Sequence, residues 1–345
     1  MSLRLLPTSD ASSRRPALLA RLAACGPFGF GASSLGNLYR EISEADAHAT
    51  VNATWTRGVR YFDTAPFYGS GLSERRLGDA LRGRDPDDYL LSTKAGRLLF
   101  PAEAGDRAGF RSPMPFSPVF DYSYDGVMRS FEASLHRLGL ARIDILYLHD
   151  LGSRTHGANH QYMFQQAVNG GFRALTALRE QGAVGAIGLG VNEVEICAES
   201  MARVDFDLFL IAGRFTLLDQ SAAEFFDTCH RQGIGIVAGG VFSSGILAAG
   251  ASGPNAYHNY APASDTVRAK TDAIERICRD FGLTLPTVAL QFAARHPGVT
   301  LPVVGVSNVA EVEAAADSAL HEVPPELWNA LRSEELISAE VHAFA

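Results

Sequence analysis

The stretch GVRYFDTAPFYGSGLSERRLG, Gly58 to Gly78, carries the pattern that decides the fold. A short β-favouring run, Val59 to Asp63, ends on an acid. Pro66 and two glycines then break the chain, and Tyr68 stands in that break, just ahead of a helix-like segment. A strand that closes on a polar residue and turns into a helix is half of a β/α unit. The rest of the chain repeats it. Comparable runs occur at Phe28–Ser34, Tyr89–Lys94, Ile143–Asp150, Val184–Val191, Asp207–Gly213, Gly233–Gly240 and Thr300–Val306, which makes eight with the first.

Amphipathic stretches lie between them. In SYDGVMRSFEASLHRLGL, for example, Val127, Phe131, Leu135 and Leu138 share one stripe. Several runs are apolar on both faces, as parallel strands covered by helices require. Eight strands, intervening helices and no break in composition predict a (β/α)8 TIM barrel spanning residues 1–345 as one domain. An open doubly wound sheet is the runner-up. Against it, the glycines of GFGASSLG lack the G-x-G-x-x-G spacing that would place a dinucleotide on a first strand and helix. Two long segments, Arg97 to Tyr122 and Val241 to Ser264, read as loops of the lid or binding type.

The chain has 345 residues and a net charge of −8. That balance argues against nucleic acid or an anionic membrane as a partner, since both need clustered Lys and Arg. No apolar run is long enough to span a membrane, and the N-terminus lacks the pattern of a secretory signal. Cys25, Cys197, Cys229 and Cys278 are scattered, which fits reduced thiols in a cytoplasm. The expectation is a cytoplasmic protein that acts on a small molecule, with its oligomeric state open.

Active sites of such barrels sit at the C-terminal ends of the strands. There the second, third and fourth runs place Asp63, Lys94 and His149, and the turn after the second returns Tyr68 over the same mouth. Taken singly, each has an ordinary structural explanation: a turn cap, a packed loop aromatic, a solvated lysine, a core histidine. Together, at three consecutive strand ends, they suit acid/base assistance to hydride transfer. A phenol has an unperturbed pKa near 10, and a neighbouring ammonium would lower it. The aspartate would orient the lysine, the histidine N–H would hold the substrate oxygen, and the phenol would move the proton. No His/Cys/Asp cluster offers a metal site.

The segments GVRYFDTAPFYGSGLSERRLGDAL, LLSTKAG, RIDILYLHD and IGLGVNE resemble the aldo-keto reductase superfamily over essentially the whole chain. The resemblance implies that Asp63, Tyr68, Lys94 and His149 form a catalytic tetrad with Tyr68 as acid/base. It implies a nicotinamide dinucleotide laid across the strand ends, with Asn192 on the carboxamide and VFSSGIL over the pyrophosphate, so that Ser243, Ser244, Gly245 and Leu247 bind cofactor. Asn192 could equally cap the next helix. Ala212 and Gly239 stand where many members carry a glutamine and a stacking aromatic. Within the superfamily the chain looks most like bacterial sugar dehydrogenases of the D-threo-aldose and L-fucose type, with L-galactose and pyridoxal dehydrogenases as close relatives. All these substrates present a hemiacetal carbon whose oxidation gives a lactone. Candidate substrate contacts are His156, Asn159, His160 and Gln161, with Phe67, Phe100, Phe116 and Phe120 as a stacking wall. The rivals are an NADPH-dependent carbonyl reductase and a low-turnover cofactor-sensing subunit.

In relatives that prefer NADP, the segment after the eighth strand commonly clamps the 2′-phosphate with basic and hydroxyl residues. Here VVGVSNVAEVEAAAD has Gly305, Val306 and Glu311 at those positions, with Glu313 and Asp317 nearby and no cation. Ser307 and Glu311 are therefore expected at the adenosine ribose, and the expected cofactor is NAD rather than NADP. Glu311 has an ordinary reading too, as an acid in the first turn of a helix.

Overall fold

A computed structural model describes residues 11–103, 105–253 and 256–338. Eight parallel strands close into a barrel: β1 (Gly29–Gly31), β2 (Tyr61–Asp63), β3 (Leu90–Ala95), β4 (Ile145–His149), β5 (Ala186–Val191), β6 (Leu208–Ala212), β7 (Gly235–Gly239) and β8 (Val299–Gly305). Each strand pairs with its neighbours in sequence order, and β1 closes on β8 through Gly29 opposite Val303. The TIM barrel read from the alternating runs is the fold observed.

Two apolar layers hold it. Inside the barrel, Tyr61, Leu90, Ile145, Tyr147, Leu208, Val237 and Leu301 pack together, and Leu22 and Cys25 join them from the helix Ala11–Ala23 and the turn after it. Outside, the other strand face packs on the helices through residues such as Phe62, Leu91, Leu146, Ile187 and Phe209. This two-sided burial is why the runs are apolar without alternation. In the helix Tyr124–Leu138, Val127, Phe131 and Leu138 are buried as the stripe predicts.

Three expectations change. The first strand stops at Gly31, because Ala32–Gly36 coils into a 3₁₀ turn that brings Gly36 against the Tyr68 backbone. A Cβ on Gly36 would lie 2.6 Å from the carbonyl carbon of Tyr68, and one on Gly69, whose φ is +62°, would lie 2.4 Å from the Gly36 oxygen. Two glycines thus let the loop after β1 press on the turn that carries Tyr68. Second, the segment 97–122 contains an antiparallel hairpin, Arg97–Pro101 with Phe116–Phe120, which stands over the mouth. Third, the segment after β7 is structured as well. It holds a turn at Ser243–Gly245, a helix at Ile246–Ala249 and a short hairpin of Tyr257–His258 with Ala261–Pro262.

Candidate active site

The C-terminal mouth is built from the strand ends upward. Asp63 closes β2 with 3% exposure, and Lys94 lies one residue before the end of β3 with 1%. Lys94 Nζ donates to Asp63 Oδ2 at 2.6 Å and to the Thr64 carbonyl at 2.9 Å. The other carboxylate oxygen accepts from Ser92 Oγ at 2.7 Å, and Ser92 links on to the Tyr61 hydroxyl at 2.8 Å, which lies 3.2 Å from that of Tyr147. The ion pair thus stands on a chain of hydroxyls rising through the barrel interior. The lysine stem needs room on the next strands: a Cβ on Gly190 would sit 3.2 Å from Lys94 Cε.

Tyr68 and His149 face each other above this pair. Their rings are 6.1 Å apart and nearly perpendicular, and Lys94 Nζ lies 4.8 Å from the Tyr68 ring centre. The four sequence candidates therefore meet at one place. The electrostatics differ from the expected one. Burial first, and the Asp63 carboxylate second, hold the Tyr68 pKa well above the usual phenol value. The expected lowering is not the net result, because burial and the Asp63 carboxylate outweigh the cations nearby. Burial, then Arg97, then Lys94 push the His149 pKa well below the usual imidazole value, so the ring is neutral near pH 7. A neutral imidazole and a protonated phenol can both donate to one oxygen, and the phenol can exchange its proton with it.

Around them the hairpin adds a feature absent from the sequence reading. Arg97 lies between two aromatic rings, 4.4 Å from the Phe67 centre and 4.3 Å from that of Phe120. It bonds Asp150, the residue after His149, at 2.7 Å. Phe110 closes the wall, 5.4 Å from Phe67 and 6.2 Å from Tyr68. Of the expected stacking residues, Phe67 and Phe120 line the mouth, Phe116 is half-buried on the hairpin, and Phe100 is exposed. His156 packs on Phe120 at 4.5 Å and lies 3.0 Å from the Tyr122 hydroxyl. His160 instead stacks on Phe164, while Asn159 and Gln161 are exposed.

Polar residues from neighbouring strand ends and loops continue from this mouth along the barrel rim. Asn192 donates to the Ala212 carbonyl at 3.1 Å and to the Tyr260 hydroxyl at 3.2 Å. It does not cap the following helix, whose N-cap is Val194. Ser243, Ser244 and Gly245 all take positive φ, a run that re-aims the backbone at the strand end. Ser243 donates to Thr216 at 3.0 Å, and Ser244 accepts from the Tyr260 backbone at 3.1 Å. The Leu247 side chain turns into the core. Buried polar atoms of Tyr39, Arg214 and His258 along this rim have no protein partner, so a polar, extended ligand suits it.

At the far end Glu311 takes its ordinary role at a helix start. Glu311 sits at the third position of the helix Val309–Leu320 and closes its N-terminus. It accepts from Ser307 N at 2.7 Å, Ser307 Oγ at 2.8 Å and Asn308 Nδ2 at 2.7 Å, while Asn308 accepts from Glu311 N. Moreover, a cation is present after all. Arg40, from the loop after β1, bonds Ser307 and lies 3.4 Å from Glu311. Arg40 meets its partners from 267 and 271 positions away, and Arg97, Asp150 and Tyr260 carry no motif. The signals available were the polar residues at strand ends: Asp150 directly follows His149, and Arg97 closely follows Lys94.

Residues 27–335 match the model of the Aldo/keto reductase family. The chain is 42% identical to the pyridoxal 4-dehydrogenase of Microbacterium luteolum, with 90% of this chain and 94% of that one covered. It is 38% identical to a D-threo-aldose 1-dehydrogenase from a Pseudomonas species, covering 94% and 99%. It is 29% identical to the L-galactose dehydrogenase of Arabidopsis thaliana, covering 83% and 81%. A glycerol dehydrogenase structure from Gluconobacter oxydans superposes with a TM-score of 0.70 at 18% identity, covering 89% and 90%, which speaks for the fold alone.

Replacing Tyr68 by Phe should lower kcat by about 10²–10⁴-fold while leaving nicotinamide cofactor affinity within about threefold, because only the proton-carrying hydroxyl is lost. Steady-state kinetics with cofactor titration by fluorescence checks this, and near-unaltered kcat would remove Tyr68 from the proton path.

Proposed function

The chain belongs to the aldo/keto reductase family and is an oxidoreductase acting on CH–OH or carbonyl groups, and from that premise we propose that it is an NAD-dependent dehydrogenase of a cyclic hemiacetal. The observation that carries this reading is the meeting of Tyr68 and His149 over the buried Lys94–Asp63 pair. Members of the family work with nicotinamide cofactors, and the residues of the rim fit one. Asn192 would hold the carboxamide, Ser243, Ser244 and Gly245 the pyrophosphate, and Ser307 the adenosine ribose. When bound, the nicotinamide supplies the hydride acceptor.

The chain's own residues handle the proton. His149, neutral, donates to the anomeric hydroxyl oxygen and fixes it beside Tyr68. Tyr68 first loses its own proton to solvent, then as phenolate takes the hydroxyl proton as the carbinol becomes a carbonyl, which returns it to the neutral phenol above the Lys94–Asp63 pair. The phenol's high pKa makes it a strong base once ionised, so oxidation favours alkaline pH. Because the reacting carbon already carries a ring oxygen, the product is a lactone. We take an aldose of the L-fucose, D-arabinose or L-galactose type as the substrate. Pyridoxal oxidised to 4-pyridoxolactone is the second reading, favoured by the planar walls of Phe67, Phe110 and Phe120 and by the 42% identical relative. A small-molecule substrate suits the acidic chain, in which no described helix is long and apolar enough to cross a membrane.

Two measurements test it. Aldoses and pyridoxal are offered with NAD and with NADP, and fresh product is followed by NMR. Lactone should precede free acid, and free acid appearing first would exclude the hemiacetal reading. For the cofactor, the preference for NAD rests on Glu311 neutralising Arg40. A 2′-phosphate arriving there must part the two and lie against a carboxylate, which costs about 0.2–1 kcal/mol for side chains as exposed as these. Glu311→Gln keeps the helix cap and frees Arg40. It should raise kcat/KM with NADP relative to NAD by about two- to fivefold. A parent chain that already works better with NADP would defeat the preference.

A further inference from the structure

Asp150 stands in a conformation that its side chain does not favour. Its φ is +53°, in the left-handed region that non-glycine residues rarely enter. Three contacts hold it there. Its N–H donates to the Gly190 carbonyl at 2.9 Å, its carbonyl accepts from the Tyr122 hydroxyl at 3.0 Å, and its Oδ2 accepts from Arg97 at 2.7 Å. Strain of this kind persists where the surroundings over-determine it, and it clusters at functional sites. Its result here is to turn the carboxylate back over the strand end, so that Oδ2 lies 3.5 Å from His149 Nε2. That separation is too long for a direct hydrogen bond.

Three further facts bear on what the carboxylate does. Its charge reaches Tyr68, where it adds to the raising of the phenol pKa. It is therefore near both groups that meet the reacting oxygen. Of the pair, Asp150 is the open member: its side chain is 16% exposed against 6% for Arg97. Arg97 itself is over-built for a surface clamp. It is sandwiched between Phe67 and Phe120 and buried, with Nη1 unpartnered. A guanidinium so placed fixes the carboxylate in direction. A fixed carboxylate is an acceptor that wants a hydroxyl donor, and a site built around such a bond discriminates strongly against ligands that lack the donor.

We propose that Asp150, positioned by Arg97, accepts a hydrogen bond from a substrate hydroxyl on the atom adjacent to the reacting carbon, so that the site selects hemiacetals carrying that neighbouring hydroxyl. The inference rests on the hemiacetal dehydrogenase reading and narrows it. In an aldose the hydroxyl is the one on C2; in pyridoxal the nearest counterpart is the ring hydroxyl on C3, one atom further from the reacting carbon. Asp150 touches substrate in this arrangement, while Arg97 acts through Asp150.

The test compares matched pairs, an aldose with its 2-deoxy analogue and pyridoxal with its 3-deoxy analogue, in the unaltered chain and in Asp150→Asn. The quantity read is the ratio of kcat/KM for the hydroxylated over the deoxy member. The unaltered chain should prefer the hydroxylated member, and Asp150→Asn should reduce that ratio by roughly ten- to a hundredfold. A purely structural clamp would lower both members alike and leave the ratio unchanged, which would overturn the proposal. Should the single variant fail to fold because Arg97 loses its counter-charge, the pair Asp150→Asn with Arg97→Gln removes both charges and is read in the same way. Turnover of no hemiacetal by the unaltered chain would overturn the functional reading and this inference with it. Turnover with an unaltered ratio in the variants would overturn this inference alone.

Discussion

Lys94 and Asp63 meet at 2.6 Å inside the barrel mouth, and the rest of the site is arranged around that contact. Two charges that are almost wholly out of water are tolerable only when paired and fully bonded. Removing one partner of such a pair costs about 3–5 kcal/mol. The chain meets that demand with Thr64 and Ser92 directly, and with the hydroxyls of Tyr61 and Tyr147 behind them. Those hydroxyls belong to strand residues that point into the barrel, so the interior packing and the site are one structure. Gly190 belongs to it too, since a larger residue there would crowd the Lys94 stem.

The members of the pair act with burial on the groups above them, Asp63 adding to the rise at Tyr68 and Lys94 to the fall at His149. That separates the two proton-carrying side chains. The phenol is driven up and the imidazole down, so both remain uncharged over a wide range near neutrality. An uncharged pair of donors over a hidden ammonium suits an oxygen that alternates between hydroxyl and carbonyl. The loops supply the rest. The hairpin after β3 sets Arg97 between aromatic rings, and the segment after β7 brings Tyr260 onto Asn192 while Tyr257 stacks on Tyr39 at 5.3 Å. These last contacts join the loops after β1, β5 and β7.

The architecture was legible because it is periodic. Each strand is a short apolar run, each ends near a polar residue, and burial on both faces removes the ambiguity of alternation. The convergence of Asp63, Tyr68, Lys94 and His149 follows from topology once the strands are placed. What the sequence did not reveal depends on contacts between distant loops. RLLFP and FSPVF pair across fourteen intervening residues, and their prolines read as breakers before the hairpin is known. Arg40 meets Ser307 and Glu311 from 267 and 271 positions away, so no local pattern announces a cation beside that helix. The expected lowering of the Tyr68 pKa failed for a different reason. It counted the charge of Lys94 without the burial and the Asp63 carboxylate that together raise the value. Asn308 and Glu311, by contrast, form a helix cap that three-residue spacing does indicate.

The account turns on Tyr68 remaining a protonated phenol in the resting chain, with Lys94 committed to Asp63. Labelling the tyrosines with ¹³C at Cζ and following them by NMR from pH 6 to pH 11 observes this directly, with the Tyr68 signal assigned by its loss in Tyr68→Phe. The account predicts that this signal keeps its phenol shift through pH 10, beyond the ordinary value for tyrosine. A signal that moves to the phenolate position between pH 6 and pH 9 would show that the lysine charge acts on the phenol after all, and would contradict the account.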